Sequence, residues 1–174
     1  MTTLGIDTSN YTTSAAAYAP STGEGIQSRR LLPVKEGQLG LRQSDAVFHH
    51  MQRFPDVFSA IPSSWREVGQ VSAIGVSIRP RDVEGSYMPC FLAGHGFAKA
   101  LGAAYQTPIY CFSHQAGHLM AALYSSRQMG LYGRNFLAFH LSGGTTEALL
   151  VQPSLSNPFK TSRVACSLDL KAGQ

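Results

Sequence analysis

The chain has few charged residues and no long apolar run. Charged residues make up only 14% of its 174 positions, against 44% for hydrophobic residues. A disordered chain has the opposite balance, so this composition indicates a globular protein with enough apolar side chains for a core. No apolar run approaches the roughly 18 residues of a membrane helix, and the start MTTLGIDTSN turns polar at once. We therefore expect no signal peptide, no membrane span and a cytoplasmic location.

Cysteine is scarce and unpaired in the sequence. The chain has three cysteines, Cys90, Cys111 and Cys166, which are widely spaced and include no CxxC pair. This pattern excludes a disulfide framework and a zinc site built from cysteine pairs. Because each cysteine has apolar neighbours, we expect buried, reduced thiols, as in a cytoplasmic protein.

Positive charge exceeds negative charge only slightly. The net charge is +4 and the isoelectric point is near 9.1. Such an excess permits an anionic partner such as a nucleotide or RNA without requiring one. The densest basic stretch, SRRLLPVK, contains only three cations, so we interpret it as a solvated strand or loop.

Hydrophobic periodicity predicts alternating groups of strands and helices, hence an α/β protein. Three N-terminal strands form an antiparallel meander, and a second three-strand meander closes the chain. Between them we expect a helix capped by Ser44 or Asp45 and kinked or split at Pro55, a helix rich in small residues, and a third helix after Ser113. The predicted strands cover 3–7, 12–20, 24–34, 71–80, 107–112, 136–144, 145–153 and 160–170, and the helices 44–61, 89–105 and 113–129.

The order of these elements nearly repeats itself, which suggests two similar lobes. We place the first lobe at residues 1–130 and the start of a second at 131–174. The second lobe would then have three strands without helices to cover them, leaving apolar surface and a free edge. On this expectation the chain is a fragment or depends on a partner.

Two histidines stand four residues apart in the stretch CFSHQAGHLM. On a helix, His114 and His118 would lie one turn apart on one face, about 5–6 Å between Cβ atoms, and could reach one metal ion. The segment reads H-Q-A-G-H, so Gln115 stands where a zinc protease has its glutamate base, which argues against a peptidase. Two exposed polar residues at a helix start remain the alternative. We expect His49, His50, His95 and His140 to be structural or surface residues.

Two turns at strand ends carry hydroxyl, glycine and acidic residues. Asp7, Thr8 and Ser9 stand where the first strand ends, and Ser142, Gly143, Gly144, Thr145 and Thr146 stand at the matching hairpin of the second meander. Backbone N–H groups of a Gly-Gly turn can approach phosphate oxygens, and an aspartate can hold a metal-bound water. Each motif alone is also an ordinary turn. Facing phosphate-binding hairpins in two lobes are the architecture of the actin, Hsp70 and sugar-kinase fold, here with a complete first lobe and a truncated second one.

Together these segments resemble the TsaD-like family of tRNA threonylcarbamoyladenosine synthases, formerly called O-sialoglycoprotein endopeptidases or glycoproteases. The matching segments are LGIDTS, HQAGH, HLSGGTT and LDLKAGQ, in the family's order and spacing. They correspond to the N-terminal half of a complete member.

The resemblance implies an acyltransferase that acts in tRNA modification. His114 and His118 fall on the positions that bind iron or zinc, together with an aspartate from the C-terminal half. The metal would polarise the threonylcarbamoyl group of threonylcarbamoyl-adenylate for attack by the amine of an adenosine beside the tRNA anticodon. The resemblance also places His140, Leu141, Ser142, Gly143 and Gly144 on the family's substrate-binding turn.

The chain also departs from the family pattern. Asp7 replaces a glutamate, Thr145 replaces a histidine, Gln174 replaces a glutamate, and the bulkier SIRPRDVEGSYMPC replaces a glycine-rich loop. These changes indicate a divergent paralogue. Three functions stay open: an incomplete or inactive form of the transferase, a non-catalytic scaffold that pairs with a related protein of the same fold, and a metallopeptidase as in the older family name.

Overall fold

The computed structural model describes residues 1–34, 40–141, 145–155 and 157–169. The chain divides into two compact units, Met1–His114 and Gln115–Gln174. The sequence-based division at residue 130 grouped the third helix with the first lobe. In the structure all of that helix except its first residue belongs to the second unit.

The first unit contains a five-stranded sheet in the order β3-β2-β1-β4-β5. Strands β1, β2 and β3 are antiparallel neighbours, which confirms the N-terminal meander. Strands β4 and β5 lie parallel to β1, since a helix connects each to the strand before it. The strands are β1 Thr2–Asp7, β2 Thr12–Ala19, β3 Glu24–Leu31, β4 Val71–Arg79 and β5 Ile109–Ser113.

Two helices, α1 (Gln43–Ser59) and α2 (Phe91–Tyr105), pack on one face of this sheet. The core alternates along each strand, so that Leu4 and Ile6 of β1 and Ile74 and Val76 of β4 are buried. The aromatic rings of Phe54 and Phe97 stack between the two helices with centroids 3.9 Å apart.

The predicted N-cap of α1 and the predicted split at Pro55 are wrong. The N-cap is Arg42, which makes no side-chain capping bond, and the helix runs without a break through Pro55. A kink at Pro55 stays a prediction. The buried side chains Ala46, His50, Phe54 and Val57 lie on both sides of the proline. This continuous packed face offsets the backbone hydrogen bond that proline removes.

The second unit contains the antiparallel sheet β6-β7-β8, which confirms the second meander. Its elements are α3 His114–Ser125, β6 Phe136–Leu141, β7 Thr146–Gln152 and β8 Lys160–Cys166. The expectation that no helix covers these strands is wrong for one face: Ala116, Leu119 and Leu123 of α3 pack against Leu149, Val151 and Phe159. On the opposite face Leu137, Phe139 and Leu141 are exposed, as expected.

The cysteines differ in burial. Cys90 is buried as predicted, but Cys111 and Cys166 are exposed, which corrects the expectation of three buried thiols. Both exposed thiols lie on the outermost strands of their sheets, β5 and β8, where one side of the strand has no neighbouring strand among the described residues. The basic pair Arg29 and Arg30 is exposed on β3, in agreement with a solvated strand.

Within the part of the chain that the structure describes, no helix combines the length and the apolar character needed to cross a membrane.

Candidate functional site

The carboxyl ends of the parallel strands carry the candidate residues of the first unit. Strands β1, β4 and β5 end at Asp7, Arg79 and Ser113, and His114 follows directly. Since parallel strands end at one edge of a sheet, residues far apart in the chain come together here. This edge is where open α/β sheets bind their ligands.

Asp7 and His114 form a carboxylate–imidazole pair. The distance between Asp7 Oδ2 and His114 Nδ1 is 2.8 Å, and the second oxygen of Asp7 accepts the backbone N–H of Ser9 at 2.8 Å. An ionised carboxylate is only an acceptor, so Nδ1 of His114 carries the proton and donates it. When the ring is neutral, its lone pair is therefore on Nε2.

The Asp7 carboxylate is stabilised in its ionised form. Burial raises the pKa of Asp7, but the hydrogen bond and charge of His114, with smaller contributions from Ser77 and Ser9, outweigh it and lower the pKa to about 2. Asp7 is thus an anion at neutral pH, and its charge orients the imidazole beside it.

Thr8 and Ser9 have different surroundings. Thr8 is fully buried: its hydroxyl donates to the carbonyl of Cys90 at 2.9 Å and accepts the N–H of Gly94 at 3.1 Å. The Thr8 hydroxyl would have to leave both bonds to contact a substrate. Ser9 is half-buried and opens the turn in which Asn10 has a positive φ of 44°.

An ion pair organises the loop after β4. Nε and Nη2 of Arg79 donate to Oδ1 of Asp82 at 3.0 and 2.8 Å, and the hydroxyl of Ser113 donates to Oδ2 at 2.6 Å. Asp82 therefore connects the loop to the residue immediately before His114. This charged loop occupies the place where the resemblance leads one to expect glycines.

The second unit contains another carboxylate–histidine pair. Nδ1 of His140 lies 3.3 Å from Oε1 of Glu147, whose side chain is only 3% exposed. Arg163 is 4.0 Å from the other oxygen of Glu147. The ring of exposed His118 on α3 lies 6.2 Å from the ring of His140. His118 and His140 thus lie close together.

The rest of the predicted substrate-binding turn is only partly described. Leu141 is exposed on the face of β6 opposite to His140. Ser142, Gly143 and Gly144 lie outside the described residues. Their role in substrate binding stays a prediction.

Sequence reasoning missed Glu147 and Asp82. Glu147 could have been found from the alternation of the strand TEALLVQ, in which it points to the same buried side as Leu149 and Val151. An acidic side chain at a core position needs a polar partner. Asp82 has no such signal. Its ion pair with Arg79 is local, three residues away, but its contact with Ser113 comes from the return of β5 beside β4.

The two predicted metal ligands are the first and fifth residues of α3. Imidazole nitrogen suits iron and zinc, and a histidine ligand commonly donates its other ring N–H to a carboxylate, as His114 does to Asp7. The donor chemistry of the two histidines therefore fits the implied metal. Within the described ranges, however, no group of three or more His, Cys, Asp or Glu side chains could hold a metal ion.

Gln115, at the position of a zinc protease's glutamate, is buried. Its Oε1 accepts the hydroxyl of Thr161 at 3.2 Å, and its Nε2 is buried without a hydrogen-bond partner. An amide cannot take a proton from water, so this residue supplies no base for peptide hydrolysis.

Solved structures identify the fold class. YeaZ from Pseudomonas aeruginosa is 18% identical, with a TM-score of 0.53 over 95% of this chain and 66% of its own. A Pseudomonas aeruginosa protein described as uncharacterized, with similarity to peptidase YeaZ, gives the same identity and TM-score over 92% of this chain and 63% of its own. The fold is that of the actin, Hsp70 and sugar-kinase class, as expected from the sequence.

Sequence comparison identifies the family. The tRNA N6-adenosine threonylcarbamoyltransferase of Bifidobacterium longum (strain NCC 2705) is 32% identical over 126 residues, which cover 72% of this chain and 33% of that protein. The chain is thus a partial and divergent relative of the TsaD-like tRNA threonylcarbamoyladenosine synthase family, which confirms the resemblance. It spans a third of the length of that relative. No family model matches the chain.

Proposed function

We propose that this chain provides the N-terminal, metal-binding part of a metal-dependent threonylcarbamoyl transferase that modifies tRNA. His114 and His118 are the two metal ligands in this proposal, and iron or zinc is the metal. The observation that carries it is the 2.8 Å pair between Asp7 and His114. A surface histidine needs no oriented carboxylate, whereas a metal ligand gains basicity and a fixed tautomer from one.

The residues of the chain have distinct tasks in this proposal. Asp7 keeps the proton on Nδ1 of His114, so that Nε2 is the donor atom. The α3 helix sets His118 one turn further along the same face. When bound, the metal supplies Lewis-acid polarisation of the threonylcarbamoyl carbonyl. A further ligand would come from outside the described residues, as the family resemblance implies.

Threonylcarbamoyl-adenylate and tRNA are the proposed partners. The segment 140–144 would contact the adenylate, with Glu147 holding the imidazole of His140 in one orientation at 3.3 Å. The weak positive charge of the chain, +4, is compatible with tRNA phosphates.

The test is the metal content and zinc affinity of the purified chain and its variants. We expect about one equivalent of iron or zinc in the wild type, lost in His118→Ala, because a helix with one imidazole holds metal weakly. Asp7→Asn removes the orienting charge but keeps the shape, and should weaken zinc binding about 10- to 100-fold.

His49→Ala is the matched control, because His49 is a half-buried histidine on α1 and no proposed ligand. It should leave the metal content unchanged. A folded wild-type chain that binds no zinc, or equal losses in His49→Ala and His118→Ala, would refute the metal site.

A non-catalytic scaffold that pairs with a related protein of the same fold is the second candidate. Two observations favour it: the ion-paired loop of Arg79 and Asp82 in place of a glycine-rich one, and the lack of a three-ligand metal group within the described residues. Sedimentation velocity of this chain mixed with a full-length threonylcarbamoyltransferase tests it. A stable one-to-one complex of a metal-free chain supports the scaffold, and two independent boundaries contradict it.

A further inference from the structure

A thiol and an imidazole that are not proposed metal ligands meet on the first unit. Cys111 lies on β5, the outermost strand of the five-stranded sheet, and is exposed. Its Sγ is 3.9 Å from Nε2 of His95, which α2 carries past the strand. The two residues are 16 positions apart in sequence. Tertiary packing therefore creates a nucleophile with a nitrogen acceptor beside it.

His95 is suited to accept a proton. Burial, and then the nearby ammonium of Lys99, lower the pKa of His95 below its ordinary value. The imidazole is therefore neutral at neutral pH, and a neutral ring has a lone pair to offer.

The other two cysteines lack this environment. Cys90 is fully buried at the start of α2, and burial raises the pKa of its thiol. Cys166 is exposed on β8, but it lies directly opposite Glu147 in the strand register. The chain thus contains a second exposed thiol, which lies opposite an acidic residue in the strand register instead of beside an imidazole.

We propose that Cys111 is a nucleophilic modification site at which His95 takes up the thiol proton and small disulfides of the glutathione type form mixed disulfides. The proton of Cys111 moves to Nε2 of His95, and the thiolate attacks one sulfur of the disulfide. The disulfide bond of the reagent breaks as the new sulfur–sulfur bond forms. The leaving thiolate takes the proton from His95, so the incoming disulfide is the only oxidant. This site is independent of the proposed metal function.

The experiment measures the modification rates of the three thiols in one molecule. The native chain is treated with oxidised glutathione, and in parallel with the aromatic disulfide dithiobis-nitrobenzoate, and peptides are quantified by mass spectrometry. We expect Cys111 to react at least about tenfold faster than Cys166. Cys90 should be labelled only after unfolding, so its labelling reports any loss of structure.

Variants distinguish activation of the Cys111 thiol by His95 from reactivity that comes only from the exposure of Cys111. His95→Gln keeps a polar side chain of similar length but no basic nitrogen, and should slow Cys111 about tenfold while leaving Cys166 unchanged. His49→Gln, on another helix, should change neither rate. If Cys90 becomes labelled in the His95→Gln variant, that variant has lost structure. The ratio of the Cys111 rate to the Cys166 rate in the wild type then tests the proposal by itself. Equal rates for Cys111 and Cys166 in the wild type, or an unchanged Cys111 rate in folded His95→Gln, would overturn the proposal.

Discussion

His50 is a buried histidine whose environment favours the neutral ring. Its side chain is fully buried on α1, its Nδ1 is hydrogen-bonded to the hydroxyl of Thr13 at 2.8 Å, and its Nε2 has no partner. Burial lowers the pKa of His50 from 6.5 to about 4. Burial opposes the charged ring more strongly than the backbone of Asn10 and the charge of Asp7 favour it.

The first unit should therefore lose stability on mild acidification. Between pH 6.5 and about 4 the unfolded chain binds a proton at His50 that the folded chain does not. The contribution of neutral His50 to the free energy of unfolding is fully present above 6.5, the pKa of His50 in the unfolded chain. It is lost as the pH falls to about 4, the pKa in the folded chain, and the total loss is about 3 kcal/mol. Urea unfolding followed by the fluorescence of Trp65, the single tryptophan, measures this change.

His50→Asn provides the comparison, because its amide can still bond Thr13 but does not titrate. The variant should be less stable at neutral pH through the lost ring volume, yet show a flatter pH dependence. His49→Asn should keep the wild-type slope. A slope that persists in His50→Asn would assign the acid sensitivity to other groups.

At this scale the sequence predicted residue types better than residue neighbours. It singled out Asp7 and His114 separately, but assigned one to phosphate or water and the other to metal. Their 2.8 Å contact joins residues 107 positions apart, which no local pattern encodes. The thiol of Cys111 was expected to be buried because its sequence neighbours are apolar, and only its place on an edge strand exposes it.

The α2 helix depends on close approach to β1. Gly94 faces the buried Thr8, and a Cβ at this glycine would lie 2.7 Å from Thr8 Oγ1 and 3.3 Å from its Cγ2. Thr8 cannot give way easily, because its hydroxyl is bonded to both Cys90 and Gly94. The small residues of this helix, predicted from the sequence to permit close packing on a sheet, have that function at Gly94.

Gly94→Ala should destabilise the first unit by about 2 kcal/mol through overpacking and the strained hydrogen bonds. Gly96→Ala in the same helix is the control, since a Cβ there meets nothing within 4 Å. It should stabilise by about 0.5–1 kcal/mol, because alanine is the better helix former. Free energies of unfolding from urea titration test both. A neutral Gly94→Ala would show that the junction with Thr8 relaxes.

Helices and strands were predictable where the sequence has a clear hydrophobic periodicity or where turn residues mark the end of an element. The two meanders and the three helices follow from alternation and helical spacing, and register then places Leu149 and Val151 inward. The N-cap of α1 and its continuity through Pro55 were not predictable, although its predicted span, 44–61, lies within two residues of the observed one. The predictions relied on local signals, namely Pro55 within the helix and Ser44 and Asp45 near its start. The packing of Phe54 and Val57 overrides these signals.

At the scale of the molecule, the second unit exposes an apolar sheet face. Leu137, Phe139 and Leu141 alternate along β6 and are 60%, 72% and 58% exposed. They face away from the core that α3 covers. An apolar row of this kind on an edge strand promotes self-association.

Phe139→Thr should raise several-fold the concentration at which the chain self-associates, and change the free energy of unfolding by no more than about 0.5 kcal/mol. Threonine is polar but keeps the preference for strands. Sedimentation velocity over a concentration series and circular dichroism during denaturation measure the two effects. Phe159→Thr, at a buried position of the same unit, should instead destabilise by about 3 kcal/mol. Equal self-association of Phe139→Thr and the wild type would exclude this face as the cause.

The sequence alone determined the class of fold and the family relationship. Period-2 and helical spacing are local consequences of backbone geometry, and the motifs LGIDTS, HQAGH and HLSGGTT are short and contiguous, so each is readable without a structure. Tertiary structure alone decided which side chains meet: Asp7 with His114, Asp82 with Ser113, and Cys111 with His95. These contacts depend on β5 returning beside β4 and on α2 crossing the sheet. Chain topology therefore fixes them, and local sequence does not.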